Sequence, residues 1–256
     1  MKIKPIILVA GEPGGVFLEI LFKALKIKKY KSPLILICCK KLLFKQMKKF
    51  NFKKKINIFN FDEITNAKFS DKNLNIIDIN LKTSNSNKYN KRFTRDYLKK
   101  SFDIAFRLIQ NGLTIKFING PINKKNFLNK KFLGITEFIS NKFKTRNTGM
   151  LIYNKQLSVC PLTTHLPISK ISKQITKKSI ANKIDLINKF YREQLKITPK
   201  IAVTGLNPHC ESVLNFNEDE KIIPSVIKNK FKKGIHVKGP FPADTIFLKD
   251  NREKFN

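Results

Sequence analysis

Two of the chain's three histidines, His165 in TTHLP and His209 in GLNPHCE, stand just past the apolar runs LSVCPL and KIAVT, which read as buried strands. Neutral imidazole is the commonest side-chain ligand of divalent metals, and parallel strands deliver the loops at their carboxyl ends to one edge of a sheet. The two rings could converge on one ion, or each could be a hydrogen-bonded structural residue; spacing alone leaves both readings open. The third histidine, His236 in GIHVKGP, has no such setting and reads as structural. Asp244, held between prolines and an apolar run in GPFPADTIF, could orient a substrate or a ligand histidine, or cap a turn. Lys124 and Lys125 in GPINKK would attract an anion, but in so basic a chain they read as a solvated face.

The elements that must position these residues follow a simple grammar. PIILVA before GEPGG, PLILICC before a lysine pair, TIKFIN before GPINKK, LSVCPL before TTHLP and KIAVT before GLNPHCE each read as a buried parallel strand ending in a turn. Between them VFLEILFKALK, RDYLKKSFDIAFRLIQNG and KKSIANKIDLINKFYREQLK carry helical spacing. Strand and helix in alternation predict an α/β fold with a mostly parallel sheet. The segment from Phe50 to Lys91, rich in Asn, Lys and Ser, reads as a solvated connection with an exposed loop at TSNSNKYNK. From Asn215, an acidic cluster followed by an apolar run, lysines and Gly234 predicts a surface helix rather than a carboxylate metal site.

Composition narrows the class. A chain of 256 residues can bury a core without disulfides, and its four cysteines, two of them the adjacent Cys38 and Cys39, show no CxxC spacing. They read as reduced, which fits the cytoplasm. The apolar start breaks at Gly11, too soon for a signal peptide, and no apolar stretch is long enough to span a membrane. The net charge of +34 raises nucleic acid as a partner. It rests on lysine spread along the chain, with arginine only at Arg92, Arg95, Arg107, Arg146, Arg192 and Arg252, so no dedicated nucleic-acid or membrane partner is expected. The charge would still draw in phosphate esters.

AGEPGG, NGPINKK, FLGITEF, TTHLP, GLNPHCE and GPFPADTIF occur in an order and spacing that resembles the 4-hydroxythreonine-4-phosphate dehydrogenase family, across nearly the whole chain except Phe50 to Lys91. The resemblance implies two α/β/α domains of the isocitrate and isopropylmalate dehydrogenase type with a cleft between them, here residues 1–125 and 126–256, in a homodimer. It implies oxidation of 4-phosphooxy-L-threonine by NAD, then decarboxylation, in the formation of pyridoxal phosphate (vitamin B6). It also implies a divalent ion, Zn, Mg or Co. By the same resemblance His165 and His209 are metal ligands, Thr136 meets the substrate phosphate and Asp244 lies near the substrate. Ile135 stands where the family has a substrate-holding histidine, which keeps open a related phosphorylated hydroxy acid as substrate. The family's third metal histidine and the rest of its first domain are expected beyond Asn256. That expectation makes the fold C-terminally incomplete, and a non-catalytic binding homologue is the remaining alternative. The residues name no general base.

Overall fold

The structure, a computed structural model, describes all residues except 1–2, 65–66, 83–89, 130, 146 and 212–216. It folds as two compact units, Met1–Phe132 and Leu133–Asn256.

In the first unit β1 (Ile6–Val9), α1 (Phe17–Ile27), β2 (Leu34–Cys38), α2 (Lys40–Lys49), β3 (Ile56–Phe59), β4 (Leu74–Asp78), α3 (Lys91–Gln110), β5 (Phe117–Asn119) and the single turn α4 (Lys124–Phe127) follow one another. The five strands form one parallel sheet in the order β3-β4-β2-β1-β5. Ile7, Val9, Ile35, Leu36, Ile37 and Ile76 are buried, as the unbroken apolar runs of strands covered on both faces require. Aromatic rings fill the space between sheet and helices: Phe22 stacks on Phe52 with centroids 4.4 Å apart, and Phe102 on Phe127 at 5.1 Å.

Two of these strands correct the sequence reading, because Phe50 to Lys91 is not a solvated connection: it supplies β3 and the buried strand β4. The polar composition misleads because one polar residue is fully accommodated inside. Asn75, with no exposed surface, donates from Nδ2 to the carbonyls of Leu34 and Ser70 and accepts at Oδ1 from Ser70 N and Asn57 Nδ2. Most of the predicted loop TSNSNKYNK lies outside the described residues.

The chain leaves β1 for β2 on one side and reaches β5 on the other, so the sheet has a topological switch point between β1 and β5. The two turns there touch backbone to backbone. A Cβ added at Gly11 would stand 2.5 Å from the Pro121 carbonyl oxygen, and one at Gly120 2.4 Å from that of Ala10.

The second unit contains α5 (Ile135–Lys142), α6 (Lys177–Phe190), β6 (Ile201–Thr204), α7 (Ile223–Lys232), β7 (Val237–Phe241) and the short α8 (Lys249–Arg252). A capping box between Thr176 and Ser179 starts α6, and a π-helical turn, Glu218–Ile222, leads into α7. The parallel pair β6-β7 packs Ile201 and Val237 against Ile180 and Ile184 of α6 and Val226 of α7. Lys230 of α7 is buried between the helices with its Nζ on both carboxylate oxygens of Asp185, at 2.6 and 2.5 Å.

LSVCPL is the second correction, since among the described residues it joins no strand of a sheet. Asn154 and Ser158 exchange side-chain bonds with the backbone, Ser158 Oγ donating to the Asn154 carbonyl at 3.0 Å and accepting from Asn154 N at 3.2 Å. This closes a local turn and pairs Val159 antiparallel with Ile152. Local closure takes the segment away from the distant β6, and Pro161 has no N–H to give a ladder. A cavity of about 410 Å³ lies between this segment and β6, walled by Leu157, Cys160, Leu162, Ile184, Ile201 and Val203 among others. Among the described residues no helix is long and apolar enough to cross a membrane.

Candidate active site

β6 stops at Thr204 and the chain turns through Gly205, Leu206, Asn207 and Pro208 to His209. The turn is closed by Cys210 N donating to the Asn207 carbonyl at 3.1 Å. β7 ends alongside, and Ala243 N donates to the Pro208 carbonyl at 2.8 Å, which fastens the loop carrying Asp244 to the loop carrying His209. The result is a contact of 3.2 Å between His209 Nδ1 and Asp244 Oδ2, with both side chains open to solvent. The two strands come close enough for this because Gly239, at φ +139°, has no side chain: a Cβ there would stand 2.3 Å from the Val203 carbonyl oxygen.

With the Nδ1 proton directed at the carboxylate, a neutral imidazole would present the lone pair of Nε2, the form in which it binds a divalent cation. His165 is exposed on its own turn in a left-handed conformation, φ 57°, which costs a non-glycine residue about 1–3 kcal/mol. Among the described residues no group of three or more His, Cys, Asp or Glu side chains is assembled that could hold a metal ion. The structure thus joins His209 to Asp244, while His165 stands on a separate segment.

Thr136 and Ile135 lie in the first turn of α5, both half-buried. Gly134 caps this helix without a side-chain bond, and a Cβ there would meet Glu137 Oε2 at 2.8 Å. The Glu137 carboxylate therefore folds back over the end of its own helix, where the backbone N–H groups favour an anion. His236 is exposed, and its carbonyl accepts from Ile201 N at 2.8 Å, a backbone role within the β6-β7 pair. Lys124 and Lys125 are exposed on α4.

Sequence reasoning missed Asp219. The acidic cluster after Asn217 does open a helix, but its middle member is buried and takes the Leu206 and Asn207 N–H groups at 2.6 and 2.9 Å. A periodicity signal was present: Asp219, Ile223, Val226 and Lys230 share one face at helical spacing, and all of them are buried. The Cys210 thiol lies against Gly205 and is pushed up from its ordinary pKa by burial foremost. A backbone hydrogen bond with Gly205 opposes this, and the carboxylates of Asp219, Asp244 and Glu211 add to it.

The first unit has a crevice of its own at the switch point, about 360 Å³, lined by Glu12, Gly14, Gly15, Thr94, Asn123 and Asn126 among others. Glu12 Oε1 accepts from Asn123 N at 2.9 Å and so ties the turn after β1 to the turn after β5. A Cβ added at Gly14 would meet nothing within 4 Å, so the backbone there is open to a ligand's close approach.

Comparison with known proteins agrees with the motifs. The family model described as pyridoxal phosphate biosynthetic protein PdxA matches residues 29–256. The chain is 31% identical to 4-hydroxythreonine-4-phosphate dehydrogenase of Aquifex aeolicus, over 98% of this chain and 78% of that protein. It is 25% identical to D-threonate 4-phosphate dehydrogenase of Salmonella typhimurium, over 97% of this chain and 77% of that protein. In fold it is similar to the crystal structure of 4-hydroxythreonine-4-phosphate dehydrogenase from Klebsiella pneumoniae, with a TM-score of 0.77 at 24% identity, covering 98% of this chain and 79% of that one.

Proposed function

The chain belongs to the pyridoxal phosphate biosynthetic protein PdxA family, and from that premise we propose that it is a dehydrogenase that oxidises 4-phosphooxy-L-threonine with NAD and a divalent metal ion. The observation that carries this reading is the 3.2 Å contact between His209 and Asp244, which prepares an imidazole for a divalent cation at the end of a parallel strand. His209 and His165 would hold the ion, whose chemistry is to polarise an alcohol oxygen on its way to a carbonyl. NAD, when bound, would supply the acceptor for the hydride, the alcohol giving up a proton as well; in the first unit the crevice lined by Gly14, Gly15, Asn123 and Asn126 is open to such a nucleotide. The β-keto acid formed then loses carbon dioxide.

The chain's own residues bind and orient. Thr136 and the first N–H groups of α5 would receive the phosphate, with the Glu137 carboxylate displaced from that helix end as the dianion enters. Asp244 keeps the His209 ring turned and sets a negative charge near the substrate amine. Ile135 offers no hydrogen bond, which lowers affinity and loosens substrate choice. That feature favours a second reading, oxidation of a related phosphorylated hydroxy acid. Self-association as a homodimer would bury the exposed apolar side chains of Met150, Ile152 and Tyr153.

NADH absorbance tests these readings, with the purified protein given NAD, Mg, Zn or Co and either 4-phosphooxy-L-threonine or D-threonate 4-phosphate. Turnover of the first substrate is expected; turnover of the second alone selects the related activity. Bound metal and NAD without turnover of either would leave a non-catalytic binding homologue. Unchanged metal content in both His165→Ala and His209→Ala would remove the metal assignment.

A further inference from the structure

Asp219 is 1% exposed, and the partners found for its carboxylate are two backbone N–H groups, those of Leu206 at 2.6 Å and Asn207 at 2.9 Å. Both belong to the turn that ends in His209, yet Asp219 comes from the π-helical turn before α7. The contact is built from both sides. Asn217 caps the π-helical turn by accepting from Glu220 N at 2.8 Å, which fixes where Asp219 leaves the backbone. Gly205 has no side chain, and a Cβ there would stand 3.1 Å from Asp219 Oδ1 and 2.5 Å from Cys210 Sγ. The carboxylate and the thiol thus share the space beside Gly205.

We propose that Asp219 is the positioning residue of the site: its two oxygens fix the Leu206 and Asn207 N–H groups and thereby hold the His209 ring against Asp244. The two bonds differ in kind from an ordinary cap. They are charge-assisted and buried, and each oxygen takes one of two successive amides, so the plane of the carboxylate dictates the direction of the turn. Glu218 and Glu220, its neighbours, share neither its burial nor these partners. The proposal rests on the reading of His209 as a metal ligand, and its test separates the two.

Asp219→Asn keeps the shape but presents a donor to one of the two amides. In amide NMR spectra of the intact protein, the wild type should show Leu206 and Asn207 protons shifted downfield, and the variant should lose one of these shifts. The His209 ring signals should move with it. Calorimetric titration with Mn²⁺ should show affinity weakened about 10- to 100-fold, the range for groups that orient a metal ligand. Asp219→Glu, which restores the charge, should recover part of the affinity, and a thermal melt of each variant excludes simple unfolding. Wild-type His209 signals and Mn²⁺ affinity in a folded Asp219→Asn protein would overturn the proposal, even if His209→Ala abolishes binding. Unchanged Mn²⁺ affinity in His209→Ala would instead remove the metal-ligand reading, and the NMR signals would then decide the positioning role alone.

Discussion

His209 Nδ1 lies 3.2 Å from Asp244 Oδ2, although the two residues leave different strands of the second unit. Three features make the meeting possible: the Ala243–Pro208 hydrogen bond, the missing side chain at Gly239, and the buried hold of Asp219 on the turn before His209. None of these is itself a ligand, yet each sets the direction of the imidazole.

Replacing Asp244 by Asn should weaken divalent metal binding about 10- to 100-fold, because the ring loses the partner that fixes its tautomer. Both side chains are solvent-exposed, so the melting temperature should hardly change. Calorimetry with Mn²⁺ and a thermal melt measure the two effects separately.

The Cys210 thiol should resist alkylation near neutral pH, because burial and its acidic neighbours keep it protonated. Taking away one negative charge with Asp244→Asn lowers the thiol pKa and raises the thiolate fraction. Iodoacetamide labelling read by mass spectrometry should therefore shift to lower pH in the variant. Labelling at the same pH in both proteins would contradict the electrostatic account.

In the first unit, Asn75→Ala should be costly, since each buried group left without a partner costs about 1–3 kcal/mol. Urea unfolding should show a lower midpoint. Asn75→Leu should rescue nothing, because the Leu34 and Ser70 carbonyls would still lose their donor.

The α6-α7 pair is tested by the ion pair between Asp185 and the buried Lys230. Asp185→Ala should destabilise by about 1.5–3 kcal/mol through the loss of hydrogen bonds to a charged group. Adding Lys230→Met should restore most of the loss, because it removes the stranded buried charge. Chemical denaturation of the single and double variants gives the comparison.

Ile135→His should lower KM for 4-phosphooxy-L-threonine by about tenfold or more if the imidazole regains a charge-assisted bond to the substrate. Steady-state kinetics against both phosphorylated substrates would show whether selectivity moves in the same direction. An unchanged KM would mean that this position of α5 does not face the substrate.

Strand ends were the legible part of the chain. PIILVA, PLILICC, TIKFIN and KIAVT became β1, β2, β5 and β6, because an apolar run closed by a turn leaves a trace that needs no partner to read, even in β5, where Ile118 is exposed. β4 was hidden by Asn75, whose four hydrogen bonds come from groups brought together only by the fold. LSVCPL misled in the opposite sense: its composition suits a strand, while Asn154 and Ser158 close a turn first. In the site, the residue types of His209 and Asp244 were readable but their contact was not, since it depends on two strands lying side by side. Asp219 was screened by Glu218 and Glu220, and only its helical phase with Ile223 and Val226 set it apart.

The cleft beside β6 has a mechanical consequence. Its walls bring LSVCPL and β6 together through apolar side chains, and among the described residues the backbone partner of Val159 is Ile152 rather than β6. The segment can therefore part from β6 without breaking a ladder, whereas β6 and β7 are tied by parallel pairing and must come apart together.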